Sequence, residues 1–380
     1  MGSMLPGVLI YFHCPSDSGF AIARLEKVFF RMALALTGDA SRVHFAYAKL
    51  MPNSTYAELP LGGVFEMDPR VRDARSLTAI KEHIRSRKIV AALGFDQQPG
   101  LPIFDALREA GVERIVSYWG APMSSINSGW RLLLKKVQVR MLRSVPDHYV
   151  FESESMRRTA THGRGIAKVR TSVVYLGVDC EQFKPAQGPS TYAHEVFNIP
   201  RDAHIIFYSG HMEPRKGIAV LLRTARLIAE AGRKDIFFLL LGNRPGEIDQ
   251  YRELYVGSVA EQQIVFGGYR SDIARLMQSA SVGVIASTGW DSFTRSAVEM
   301  SATGLPLIVS RLQGLQETVE EGETGYSFTP GNEEELRQRI LRVVGDESLR
   351  SKLGAAARAR AIKCFSEDQQ VDALSRIVRG

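Results

Sequence analysis

Short apolar runs of strand length alternate with amphipathic stretches along this 380-residue chain, from one end to the other. That rhythm restricts the fold to repeated βα units carrying parallel sheets. In the first half it predicts strands near Val8–His13, Val43–Lys49, Ile89–Leu93, Ile115–Tyr118, His148–Phe151 and Ser172–Tyr175. Helices are expected between them, for example at Ala21–Leu36, Pro102–Ala110 and Trp130–Arg143. The rhythm breaks at Gly177-Val178-Asp179, Phe183-Lys184-Pro185 and the turn-rich Ala186–Ser190, which reads as an interdomain linker. It then restarts. Strands are predicted near Ile205–Ser209, Phe237–Leu241, Ile264–Phe266, Val282–Ile285 and Leu307–Val309, with helices near Ile218–Ala231, Ile273–Gln278 and Thr294–Ala302. Asn332 ahead of Glu333-Glu334-Glu335 predicts a capped helix start with Glu335 reaching back, and three helices finish the chain. The fold class is α/β: two Rossmann-like domains facing across a cleft, with ligands expected at the carboxyl ends of the strands.

Composition sets the outer limits. A hydrophobic fraction of 45% and a charged fraction of 23% belong to a globular protein. The longest apolar stretches, such as Ile236–Leu241, have strand length and cannot span a bilayer. Met1-Gly2-Ser3-Met4 reads as an expression scar ahead of a native Met4, and no charged segment precedes an apolar signal core. Cys14, Cys180 and Cys364 are odd in number and widely spaced, which suits reduced thiols in a cytoplasm. The net charge of +7 favours anionic partners or simple solubility.

Several chemistries are excluded by their missing signatures. Asp17-Ser18-Gly19-Phe20 is all that follows the first strand where a dinucleotide fingerprint would need three spaced glycines. Gly210–Gly217 lacks the second glycine before Lys216 and the hydroxyl residue after it that a P-loop requires. His194-Glu195 has no second histidine, and no Cys-x-x-Cys pair occurs.

Three segments of the second half fall at expected strand-to-helix turns. Tyr208–Gly217 offers a glycine turn, a helix start, and the cations Arg215 and Lys216, which together suit a diphosphate. Gly289–Glu299 places Asp291 before a helix and Glu299 inside it, so that two carboxylates can accept hydroxyl hydrogen bonds; an N-capping Asp and a surface Glu would look the same. Phe266-Gly267-Gly268-Tyr269-Arg270 is a glycine pair that lets a flat ring approach the backbone.

The order and spacing of these segments resemble the retaining GT-B glycosyltransferases of the large family 4 type, which includes glycogen-synthase-like and phosphatidylinositol mannosyltransferase enzymes. Gly177-Val178-Asp179 through Phe183 and Pro185, Gly210 to Lys216-Gly217, Asp291 to Glu299, and Gly304–Ser310 carry the resemblance, over most of Gly177–Phe365. It implies a GT-B architecture with an acceptor-side domain over 4–184, a nucleotide-sugar domain over 185–363, and a terminal helix, 364–380, crossing back to the first domain. It also implies roles. Lys216, with Arg215, neutralises the diphosphate; Glu299 holds the ribose; Asp291 and the backbone at Ser292, Phe293 and Thr294 grip the transferred sugar. Gly268 and Tyr269 face the base. Gly210 and His211 belong to the phosphate loop, and Ser18 and Gly19 close over the phosphates from the first domain. The donor would be UDP- or GDP-linked and the chemistry metal-independent, with no cofactor.

Three positions depart from the family pattern: Asp291 stands where Glu is usual, His211 where Arg is usual, and Ser117–Pro122 carries no histidine. Trp119 is the candidate to stack on the sugar instead, or it plugs the domain core. From Arg114 to Arg143 no acid occurs, while Trp130, Leu133, Leu134, Val137 and Met141 fall at helical spacing beside Arg131, Lys135, Lys136, Arg140 and Arg143. A membrane-surface helix would look like this. The expectation is nevertheless that the stripe packs on the sheet, as helices of a doubly wound domain must.

The resulting reading is a cytoplasmic glycosyltransferase, peripheral at the inner membrane face if that helix docks, acting in polysaccharide, glycolipid or glycosylated-metabolite assembly. Its partners would be a nucleotide-sugar and a glycan, lipid-linked or small-molecule acceptor, with no nucleic acid. A catalytically weak nucleotide-sugar-binding protein and a nucleotide-sugar hydrolase or epimerase on the same fold are the alternatives.

Overall fold

A computed structural model of the protein describes residues 3–380 except residue 53, and at 20, 21 and 55 the backbone alone. Met1 and Gly2 of the expected scar lie outside the described residues. The chain divides into two compact units, one of Met1–Tyr175 with Asp368–Gly380 and one of Leu176–Glu367.

In the first unit β1 (Val8–Pro15), β2 (Val43–Lys49), β3 (Gly63–Glu66), β4 (Ala91–Phe95), β5 (Arg114–Trp119), β6 (His148–Phe151) and β7 (Thr171–Val173) form a sheet in the order β3-β2-β1-β4-β5-β6-β7. Every neighbouring pair is parallel. β4 is buried along its whole length, as a parallel strand covered on both faces must be. Leu9, Tyr11, Ala92, Leu107 and Ile115 share a core with Ile80 and Ile84 of the helix Ala74–Ser86. Asp73 caps that helix by accepting from the Ser76 amide at 2.8 Å.

The second unit repeats the scheme with β8 (His204–Ser209), β9 (Ile236–Leu241), β10 (Ile264–Phe266), β11 (Val282–Ile285), β12 (Leu307–Ser310) and β13 (Gly325–Phe328), in the order β10-β9-β8-β11-β12-β13, again all parallel. Its core gathers Ile206, Phe238, Leu240, Val284 and Ile308 under the helix Ile218–Glu230. Both sheets reverse direction of growth once, between β1 and β4 and between β8 and β11, and open parallel sheets bind ligands at that switch point.

Several elements are not named by the sequence pattern, two strands and one long helix among them. β3 and β13 are four residues each, Gly-Val-Phe-Glu and Gly-Tyr-Ser-Phe, too short for a periodic signal. The helix Ala74–Ser86 is predominantly polar, with Ile80 and Ile84 as its buried residues. Asn332 caps its helix as expected, accepting from the Glu335 amide at 3.0 Å. Glu335 does not reach back to Asn332 but accepts from the Thr329 amide at 2.9 Å.

The linker expected at 186–190 is not where the units part. Residues 176–184 belong to the second unit because its last helices hold them. Val178 donates to the Phe365 carbonyl at 2.8 Å and accepts from the Glu367 amide at 3.1 Å. Arg295 reaches the Gly177 carbonyl at 3.1 Å. The half-buried Arg358 donates to the carbonyls of Phe183 (2.7 Å), Ala302 (2.7 Å) and Cys180 (3.0 Å). The terminal helix Glu367–Arg379 docks in the first unit from Asp368 onward, where Arg31 meets Asp368 at 2.5 Å and Arg114 reaches the Ile377 carbonyl at 3.1 Å.

Arg358→Ala leaves three carbonyls without their charged donor, and each neglected buried acceptor costs about 1–3 kcal/mol. Urea unfolding of the variant should therefore show the second unit destabilised by roughly 2–4 kcal/mol. A change within experimental error would mean that Arg358 does not anchor the 176–184 segment.

Candidate functional site

The second unit's switch point is built by the loops that leave β8 and β11. Gly217, at φ +77°, begins the helix Ile218–Glu230, and a Cβ there would lie 1.7 Å from the Ala286 carbonyl oxygen. Glycine alone permits this approach. The contact is secured by the Thr288 and Gly289 amides, which donate to the Arg215 carbonyl at 2.8 and 3.2 Å, and by Ser296, whose hydroxyl donates to the Ser209 carbonyl at 2.8 Å. Next door, the Gly242 amide donates to the Gly268 carbonyl at 2.8 Å, and the Gly268 amide to Asn243 Oδ1 at 2.8 Å.

This packing fixes Lys216 against Asp291. Lys216 Nζ lies 3.0 Å from Oδ1 and 2.9 Å from Oδ2 of Asp291. The same carboxylate accepts from the Ser287 hydroxyl at 2.6 Å and from the Ser292 amide at 3.2 Å. The pair is largely withdrawn from water, with side-chain exposures of 16% for Lys216 and 6% for Asp291. A single buried partner, Ser287, was not singled out in the sequence; its spacing of four residues before Asp291 is the one available signal.

Two helix starts flank the pair. Neither Gly217 before Ile218–Glu230 nor Thr294 before Arg295–Ala302 caps its helix through a side chain, so the first-turn amides are available to an anion. Thr294 Oγ1 is buried without a hydrogen-bond partner. Glu299 lies inside the second of these helices and is buried, 8% exposed. Arg215 is exposed and bound to Glu213 at 2.7 Å and to the Trp290 carbonyl at 3.1 Å. His211 is exposed, and its carbonyl accepts from Tyr208 Oη at 2.7 Å. Gly268 has φ +69° with open space where a Cβ would stand, and Tyr269 beside it is 75% exposed. Gly210, His211, Arg215, Lys216, Gly268, Tyr269, Asp291, Ser292, Phe293, Thr294 and Glu299 thus all belong to the second unit. Phe293 is buried, edge-on to Phe365 at 5.1 Å between ring centroids, which makes it a support of the loop through its side chain.

Ser18, Gly19 and Trp119 belong to the first unit. Ser18 donates to the Pro15 carbonyl at 2.6 Å, and Gly19, at φ +93°, stands before the helix Phe20–Thr37, which has no side-chain cap. Trp119 is 2% exposed and packs with Met123, Tyr149 and Phe151. The proposed stacking face is therefore buried, and Trp119 is a core residue: its indole stacks on Phe151 at 6.5 Å.

The first unit's switch point holds a residue that the sequence reading passed over. Asp96 follows β4 at φ +53°, a left-handed conformation uncommon outside glycine. Its Oδ1 accepts from the Gly120 amide at 2.9 Å. Burial pushes its carboxyl up to about 6, against the pull of the Gly120 amide and the charge of His13. His13 stacks on Phe95 at 5.9 Å and shares a 3.1 Å hydrogen bond with the Phe95 carbonyl. A strand end running into Asp96-Gln97-Gln98-Pro99-Gly100 was the available signal.

Residues 191–360, which lie within the second unit, match the profile of the family described as Glycosyl transferases group 1. The chain is 28% identical over 220 residues to the D-inositol 3-phosphate glycosyltransferase of Streptomyces avermitilis, across 55% of this chain and 46% of that protein. It spans about half the length of the curated relatives it matches first. Among solved structures it resembles a glycosyltransferase from Rickettsia africae ESF-5, with a TM-score of 0.82 at 18% identity over 98% of both chains. It also resembles HepE of Anabaena, solved in complex with UDP, with a TM-score of 0.77 at 17% identity over 98% of this chain and 99% of that one. The fold is that of the GT-B glycosyltransferases, with two parallel-sheet α/β domains.

Lys216→Met and Asp291→Asn each leave one member of a buried ion pair uncompensated, at a cost of about 2–4 kcal/mol. The double variant should lose less than the sum, with a coupling of at least about 1 kcal/mol in urea unfolding. Strict additivity would show that the pair does not interact. Asp96 binds its proton more tightly in the folded chain than at the ordinary 3.8. Its contribution is therefore favourable below that value and is lost as pH rises through about 6. Asp96→Asn removes the titration. Its melting temperature relative to the unsubstituted protein should rise between pH 4 and pH 7, by at most on the order of 3 kcal/mol in stability. A pH-independent difference would contradict the raised value.

Proposed function

We propose that this chain is a retaining glycosyltransferase that transfers a sugar from a UDP- or GDP-linked donor to a hydroxyl acceptor. The observation that carries the reading is the convergence of Lys216 with two helix starts lacking side-chain caps at the β8/β11 switch point. A departing diphosphate develops negative charge, and preorganised amides with a fixed cation stabilise such charge best where water is excluded. In this reading the amides after Gly217 and Thr294 receive the diphosphate and Lys216 neutralises it, with Arg215 at the exposed rim. Asp291 and Ser287 set the position of the Lys216 ammonium. Glu299 receives the ribose hydroxyls, the Ser292–Thr294 backbone and Thr294 Oγ1 meet the sugar, and Gly268 with Tyr269 takes the base.

The charge is carried by protein groups without a metal or cofactor. The bond from the anomeric carbon to the leaving phosphate breaks while the acceptor oxygen bonds on the same face, and the leaving phosphate oxygen takes the acceptor proton. The family match over 191–360 supports glycosyl transfer, and the UDP complex of HepE supports a uridine donor. The net charge of +7 suits an anionic or phosphorylated acceptor, in keeping with the inositol phosphate named for the Streptomyces relative.

Thermal shift with UDP-, GDP-, ADP- and dTDP-sugars tests the donor site. One nucleotide class should stabilise the protein, by about 2.7 kcal/mol at a hundredfold excess over Kd. Lys216→Ala and Glu299→Ala should abolish the shift. If no nucleotide sugar or nucleoside diphosphate shifts the unsubstituted protein, the donor-site reading falls. Turnover with and without acceptor then separates transfer from hydrolysis.

A further inference from the structure

The helix Gly129–Met141 in the first unit contradicts the expectation that its apolar stripe packs on the sheet. None of its residues is buried. Trp130 is 68% exposed, Leu133 63%, Leu134 52%, Val137 49% and Met141 76%. At about 100° per residue these five fall on one stripe roughly 100° wide. The residues that do face the protein are Leu132, Lys135 and Val139, all half-buried, and Val139 packs against the core around Trp119 and Phe151. They lie on the opposite side of the helix, so the apolar stripe points away from the body of the unit.

The orientation is held by specific contacts. The Asn127 amide donates to the His162 carbonyl at 2.9 Å, and Asn127 Nδ2 to the Gly163 carbonyl at 2.8 Å. Gly165, at φ +82°, lets the backbones meet: a Cβ there would stand 2.5 Å from the Lys136 amide nitrogen. A stripe of this size is unlike the scattered apolar residues of an ordinary surface.

Charge selects the occupant. Arg131 lies on one flank of the stripe, Lys136 and Arg140 on the other, with Arg143 just beyond the helix end. No acidic residue occurs from 114 to 146. A second copy bringing the same face would set these cations against themselves. We propose that this face docks on the surface of an anionic phospholipid bilayer, the stripe entering the headgroup–acyl boundary and the flanking cations meeting lipid phosphates. No described helix is long and apolar enough to cross a membrane, and this mode of contact needs none. The inference does not depend on the donor-site reading.

Sedimentation of the full chain with vesicles tests it. Vesicles of phosphatidylcholine and phosphatidylglycerol in equal amounts should bind the protein at least about tenfold more tightly than phosphatidylcholine alone, and less tightly as salt rises. Leu133→Ser with Val137→Ser should weaken binding about tenfold or more, and Lys136→Gln with Arg140→Gln should remove most of the preference for anionic vesicles. Because all four side chains are exposed, circular dichroism and melting temperature should stay unchanged. Equal binding by the variants, or no binding to anionic vesicles, overturns the proposal. So does concentration-dependent dimerisation that Leu133→Ser with Val137→Ser abolishes.

Discussion

The missing side chain at Gly217 is the constraint on which the second unit's site depends. With the Ala286 carbonyl oxygen 1.7 Å from where a Cβ would stand, any other residue would force the β8 loop away from the end of β11. Everything polar at the switch point is referred to that approach. Arg215 can cross to the neighbouring loop through its own carbonyl and through Trp290, and Lys216 is delivered to Asp291. A buried ion pair of this kind is a weak source of stability, because desolvation of both groups offsets most of their attraction. What it provides is position. The ammonium is held where two uncapped helix starts already lower the potential of an incoming anion. On the proposed reading, a diphosphate carries more negative charge than the one carboxylate it would compete with, so a lysine pre-set by an aspartate could serve it without a large search over rotamers.

The first unit uses the same topology with the opposite chemistry. Its switch point holds Asp96, a carboxyl that burial keeps close to half-protonated near pH 6. The left-handed backbone at Asp96 is a local strain on the order of 1 kcal/mol that the surrounding structure has to maintain. It is retained because the side chain binds the Gly120 amide and so shapes the loop after β5. That loop, Gly120-Ala121-Pro122, is where the family pattern would carry a histidine. With Trp119 turned into the core, the polar groups of this edge include Asp96, His13 and Glu152, whose Oε1 lies 3.6 Å from where a Cβ on Gly120 would stand.

The sequence disclosed what is local and repetitive. Strand positions could be read because each βα unit buries a continuous apolar run, and the loops that matter follow those runs directly. The glycines at 210, 217 and 268 and the seven-residue interval between Asp291 and Glu299 were legible for the same reason. Contacts between loops were not. Nothing in the string shows that Lys216 and Asp291, 75 residues apart, share one hydrogen-bonded pair, or that Asn243 supports Gly268 from the end of the neighbouring strand. The unit boundary was misplaced on similar grounds. The turn-rich Ala186–Ser190 looks like a linker, yet the 176–184 segment is tied down by Arg358, far along the chain. Turn composition reports local flexibility, whereas a boundary is set by where long-range contacts stop.

The helix Gly129–Met141 shows the same limit in sharper form. Periodicity establishes that a stripe exists and how wide it is, but it carries no information about which way the stripe faces. Burial of the larger apolar face is the usual outcome because water exclusion rewards it. Here the reverse side wins through backbone geometry: Gly165 admits the Lys136 backbone, Asn127 fixes the helix entry, and Val139 is enough to fill the remaining gap. The outward turn keeps Arg131, Lys136 and Arg140 in water beside the stripe, where their charge needs no partner, while Lys135 on the inner side stays only half-buried.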